Sequence, residues 1–190
     1  MRRRAVLAGA TVVAVTALTG CDDGTEPSAV ADTRDTGPLT PKTVYPAGQR
    51  PDAPTLDGEL LDGTTFDLAT RTGKVAVINF WASWCAPCRA ETDDLEAVYQ
   101  ATRDDGVTLL GINTRDSRDA ATAFVQGRVG YPSLFDPAGR VAMGFNHVQA
   151  SFLPATVLLD RTGRVAVVFR KALVRTELEP VVTDLAAEKI

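Results

Sequence analysis

Lys74-Val75-Ala76-Val77-Ile78-Asn79-Phe80-Trp81-Ala82-Ser83-Trp84-Cys85-Ala86-Pro87-Cys88 passes from one kind of structure to another. Residues 74–80 are a nearly continuous run of β-formers, the pattern of a strand covered on both faces. Helix-compatible sequence follows from Ala86 to Thr102 and stops at Arg103-Asp104-Asp105-Gly106. The cysteines therefore sit at a strand-to-helix junction. A cysteine at a helix N-terminus faces unpaired backbone N–H groups and the positive end of the dipole, which favour thiolate over thiol. This makes Cys85 the attacking thiol. Cys88, about one turn further in, is placed to resolve a mixed disulfide. Pro87 suits a first helical turn, where its missing N–H costs nothing.

Other uses of a Cys-x-x-Cys pair fit less well. Haem attachment needs His after the second cysteine, where Arg89 stands, and a structural zinc site needs two more Cys or His, with only His147 available. A disulfide closing so short a loop removes little entropy from the unfolded chain, so reactivity explains the pair better than stapling. No metal or other cofactor is expected beyond the redox pair itself.

Outward from this segment, Gly58 to Leu68 alternates around Asp62-Gly63 and predicts a small hairpin. Val107 to Asn113 predicts a second buried strand, completing a βαβ unit. A helix is expected over about 118–128, started by Asp116 or Ser117, and a shorter one over about 141–145. Residues 155–160 and 164–170 flank Arg161-Thr162-Gly163 as an antiparallel hairpin. A last helix starts at Thr176, which stands at capping-box spacing from Glu179. The pattern is α/β, a central mixed sheet flanked by helices.

The chain has 190 residues and a formal charge of −4. Basic and acidic residues alternate locally, as in Arg115-Asp116-Ser117-Arg118-Asp119, so no nucleic-acid partner is expected. The N-terminus runs Met1-Arg2-Arg3-Arg4, then uncharged from Ala5 to Leu18, then Thr19-Gly20-Cys21. This is the grammar of an export signal, with an apolar stretch shorter than the roughly 20 residues a membrane-spanning helix needs. Leu18-Thr19-Gly20-Cys21 resembles the bacterial lipobox, which implies cleavage before Cys21 and lipidation of that cysteine. The Sec and twin-arginine routes both remain open. Residues 22–53, rich in Pro, Thr, Asp, Gly and Ala, read as a flexible linker spanning on the order of 30 Å, which leaves residues 54–190 as the folded domain.

Trp81-Ala82-Ser83-Trp84-Cys85-Ala86-Pro87-Cys88 looks like the active-site signature of thioredoxin-like proteins. The arrangement from Ala53 to Ile190 resembles the TlpA/ResA/DsbE group of membrane-tethered bacterial thiol-disulfide oxidoreductases. That resemblance implies a thioredoxin-like fold with an N-terminal hairpin and a central insertion before the last hairpin. It also implies that Pro154, in Phe152-Leu153-Pro154-Ala155, is a cis-proline opposite Cys85, and that Leu153 offers backbone groups to a bound partner. Glu91 matches a family carboxylate three residues after the second cysteine. Two readings of it stand together: a group that moves a proton for Cys88, which shares its helix face, or a solvated glutamate near a helix N-terminus. Asn79 occupies the place of thioredoxin's buried aspartate, and Thr92-Asp93-Asp94 the place of a helix-kinking proline. Trp84 is a partner-contact candidate and Trp81 reads as packing.

The activity expected is disulfide exchange with protein clients outside the cytoplasm. The resemblance leans toward a reductant, for example in cytochrome c maturation, fed by a membrane thiol donor. An oxidant of secreted proteins is the runner-up. A copper chaperone is kept only by His147, which otherwise reads as an exposed loop residue, and a thiol peroxidase would want a Thr-x-x-Cys setting.

Overall fold

The computed structural model describes residues 40–71, 73–145 and 152–189. The proposed signal peptide, Cys21, most of the linker and His147 lie outside them. A six-stranded mixed sheet organises the fold, with β1 (Lys42–Val44), β4 (Val75–Trp81), β5 (Val107–Thr114), β6 (Ser133–Asp136), β7 (Ala155–Leu159) and β8 (Val165–Phe169) in the order β1-β8-β7-β4-β5-β6. A separate hairpin pairs β2 (Asp57–Glu59) with β3 (Thr65–Asp67) around the anticipated turn. The helices are α1 (Ala86–Thr102), α2 (Arg118–Val125), α3 (Arg140–Gly144) and α4 (Arg175–Ala187).

β4 is central because both its faces are buried along its whole length. It pairs parallel with β5, as a helical crossover demands, and antiparallel with β7. One sheet face carries Val75, Val77, Leu109 and Leu158 under Leu95 and Val98 of α1 and Leu178, Val182 and Leu185 of α4. The other carries Ile78, Phe80, Ile112 and Val157 under Phe66, Ala142 and Phe145. Along the α1 face β4 presents Val75, Val77, Asn79 and Trp81 in turn, because alternate residues share a face. The apolar core thus gives way to polar chemistry as the strand nears the cysteines.

Three expectations need correction. The linker does not reach residue 53: Lys42, Thr43 and Val44 pair with Phe169, Val168 and Val167, and Asp52 bridges to Arg164. A three-residue edge strand with exposed ends buries too little apolar surface to announce itself in sequence. The capping box at Thr176 and Glu179 does not form, since α4 begins at Arg175 and has no side-chain cap of its own. Instead Asp94 on α1 accepts from the Arg175 backbone N–H at 2.9 Å, and Glu179 pairs with Arg175. Finally, α2 ends at Val125 rather than near Arg128. Ser117 is its N-cap, accepting from Ala120 N.

The central insertion consists of β6, which extends the sheet beyond β5, and α3. Gly111 on β5 lies where the chains come closest: a Cβ there would sit 2.3 Å from Ser133 Oγ and 2.7 Å from Trp81 Nε1. Any larger residue at 111 would force Ser133 and Trp81 to shift, and Trp81 packs with Cys85 and Cys88.

Candidate active site

Cys85 and Cys88 are joined by a disulfide, with Cα atoms 5.3 Å apart. Cys85 is the N-cap of α1, and its sulfur accepts from Cys88 N at 3.2 Å. Pro87 stands within the first turn, which holds no acidic residue, so no carboxylate competes for the positive helix end. The sulfur of Cys85 thus takes the place that a Ser or Asp oxygen fills in ordinary capping.

The loop before Cys85 is fastened by a group that motif reading passed over. Asp116, just after β5, accepts from Ser83 N at 2.6 Å, Ser83 Oγ at 3.0 Å, Asn113 Nδ2 at 3.0 Å and Ser117 N at 2.9 Å. Burial pushes its carboxyl up, but these hydrogen bonds together hold it below the usual range. The sequence signal was present: an Asp-Ser pair between a strand end and a helix start is a capping site with a spare carboxylate. Trp84 is largely exposed, and its Nε1 donates to Arg115 O at 2.8 Å. Arg115 has a left-handed backbone, φ 52°. The guanidiniums of Arg89 and Arg128 lie 4.6 and 4.7 Å from the Phe124 ring, which packs on Trp81.

The Leu153–Pro154 peptide is cis. Leu153 packs against the cluster of Trp81, Ala82, Cys85, Cys88 and Ala121, which brings the proline segment to the cysteines. Beside it Phe152 is exposed.

Glu91 is 1% exposed, which removes the solvated reading. Its Oε1 accepts from Asn79 Nδ2 at 2.9 Å and its Oε2 from Leu173 N at 2.9 Å. Burial is the dominant influence and lifts its carboxyl to about 7, opposed by these two donors. A carboxyl near neutrality can take or give a proton at ordinary pH. Asn79 also donates to Thr156 Oγ1 at 3.1 Å, two residues beyond Pro154. Among the described residues no cluster of three or more His, Cys, Asp or Glu is arranged to hold a metal ion.

A cysteine pair at the N-terminus of α1, a cis-proline segment against it and a buried carboxylate one turn behind define a thioredoxin-like thiol-disulfide oxidoreductase. The chain belongs to the AhpC/TSA family, whose pattern matches residues 50–168. It is 34% identical over 102 residues to the thiol:disulfide interchange protein HelX of Rhodobacter capsulatus, spanning 52% of this chain and 53% of that one. It is 28% identical over 134 residues to the thiol-disulfide oxidoreductase ResA of Bacillus subtilis, spanning 70% and 71%. The chain thus spans about half the length of HelX. A secreted thiol-disulfide isomerase from Corynebacterium glutamicum has a similar structure, with TM-score 0.75 and 32% identity over 90% of this chain and all of that one. A DsbF homologue from Corynebacterium diphtheriae superposes with TM-score 0.73 and 33% identity over 87% and 99%.

Proposed function

We propose that this oxidoreductase works outside the cytoplasm as a reductant of exported protein clients, held at the outer face of the bacterial cytoplasmic membrane by lipid on Cys21. Clients of the cytochrome c maturation kind and a membrane thiol donor fit that role. Residues 19–21 support the anchor, and no helix among the described residues is long and apolar enough to cross a membrane.

In the reduced protein the Cys85 thiolate, stabilised by the α1 N-terminus, attacks a client disulfide. The Cys85–client bond forms and one client sulfur leaves as a thiolate. Cys88 then attacks Cys85 sulfur as Glu91 takes the Cys88 proton. The Cys85–Cys88 bond forms, the second client thiolate is released and takes a proton from solvent, and the protein is left oxidised. Two electrons pass to the client, and a thiol donor restores them. Leu153, Pro154 and Trp84 form the surface against which the client lies.

The observation that carries the direction is the buried Glu91 on the Cys88 face of α1. A carboxylate there disfavours a second negative charge on Cys88, so the dithiol form gains little stabilisation as thiolate. That shifts the balance toward the disulfide and gives a reducing potential. The test is the redox equilibrium of Cys85 and Cys88 against graded thiol buffers. A value near thioredoxin's, about −270 mV, is expected, and one near −120 mV makes the protein an oxidant instead. The peroxidase alternative gains nothing from the site, because Ala82 stands three residues before Cys85 where Thr would be wanted.

A further inference from the structure

We propose that Asn79 is a positioning residue of the exchange reaction, holding the Glu91 carboxylate between β4 and the strand that follows the cis-proline. The proposal rests on the reading of Glu91 as the proton acceptor for Cys88.

Asn79 is 2% exposed and Thr156 fully buried. They stand opposite each other in the β4–β7 register. The Asn79 amide spends both its N–H bonds at once, one on Glu91 and one on Thr156. Glu91's other donor is the backbone of Leu173, which every sequence supplies. Among the described residues Asn79 is therefore the one side chain that hydrogen-bonds this carboxylate. The titratable groups nearby are Cys88 one turn earlier on α1, Tyr131 before β6, whose hydroxyl burial keeps neutral, and Lys171 before α4, paired with Glu177 at 2.6 Å. Asp94 is engaged with Arg175 N.

The chemistry of an amide suits a group that must change protonation state. A cation in this place would lock Glu91 ionised, and a second carboxylate would force one of the pair to stay protonated. An apolar side chain would leave the charged form with a single donor. A rotated amide offers its oxygen instead, and the Thr156 hydroxyl donates as readily as it accepts. Asn79 can thus hydrogen-bond Glu91 in either protonation state, with the Thr156 hydroxyl following. The same pair ties the carboxylate to the segment on which a client docks.

The test uses the full chain in detergent, carrying a preformed mixed disulfide between Cys85 and a coloured aromatic thiol. Release of that thiol reports attack by Cys88 as a function of pH. Wild type is expected to show an inflection that Glu91→Gln removes. Asn79→Leu is expected to move it upward by about one pH unit, which is about a tenfold slower release below the inflection. Adding Asn79→Leu to Glu91→Gln is expected to change nothing further in the profile. An Asn79→Leu profile superimposed on wild type, with Glu91→Gln flattened, overturns the role of Asn79 alone. An inflection that survives Glu91→Gln overturns the underlying role of Glu91. Should Asn79→Leu fail to fold, Thr156→Val takes its place, with a smaller upward shift expected and an unshifted profile contradicting the proposal.

Discussion

Asp116 and Glu91 are two carboxylates flanking one cysteine loop, and their surroundings send them opposite ways. Asp116 accepts four hydrogen bonds at a partly open strand end and stays ionised. Glu91 accepts two while buried between the sheet and α1, and is lifted to about 7. The number of donors set against desolvation decides which carboxylate is an anchor and which can carry a proton. Neither has a salt-bridge partner among the described residues, so charge pairing is not what separates them.

The largest expected effect comes from breaking the anchor. Asp116→Ala strands the donors of Ser83, Asn113 and Ser117, and unfolding in denaturant is expected to detect a loss of about 4 kcal/mol. A loss under 1 kcal/mol would mean that water replaces the carboxylate and that the contrast with Glu91 is false.

Next is the pH dependence of stability, where the two groups have opposite signs. Glu91 titrates near 7 when folded and near 4.5 when unfolded, so the folded state holds the extra proton between those values. Its contribution is present below about 4.5 and lost as pH rises toward 7, by roughly 3 kcal/mol. Glu91→Gln should abolish that decline. Asp116, held low, contributes above the ordinary carboxylate range and loses its contribution as pH falls through its folded value. Denaturant midpoints from about pH 2 to pH 8 for wild type and the two variants check both signs.

Smaller effects sharpen the comparison. Ser117→Ala removes the α2 cap and is expected to cost about 1 kcal/mol. If it cost as much as Asp116→Ala, the cap rather than the loop tie would be what Asp116 serves. Trp84→Ala is expected to change stability by less than about 0.5 kcal/mol. It should nevertheless slow reduction of a protein disulfide several-fold more than that of a small one, measured as kcat/KM for each.

Much of this was legible in the chain. β4 and β5 declared themselves by apolar runs, α1 by Cys85-Ala86-Pro87 at its start and Gly106 beyond its end, and the β7–β8 hairpin by its turn. What escaped depended on distant partners. β1 is ordered by the free edge of β8, β6 by that of β5, and α4 is capped from α1 by Asp94. The burial of Glu91 left a trace that polar Thr92-Asp93-Asp94 concealed. Positions 88, 91, 95, 98 and 102 share one stripe of α1, and all five are buried. The loop tie at Asp116 joins residues 33 apart in sequence, a distance that no local pattern spans.

Thiol trapping tests the central claim most directly. With Cys88→Ser, an oxidised protein client is expected to accumulate as a mixed disulfide on Cys85, located by peptide mass. With Cys85→Ser, no adduct is expected, because Cys88 lies inside α1 rather than at its N-cap and is the more buried of the two, 1% exposed against 5%. An adduct on Cys88 in the second variant, or none in the first, would contradict the account.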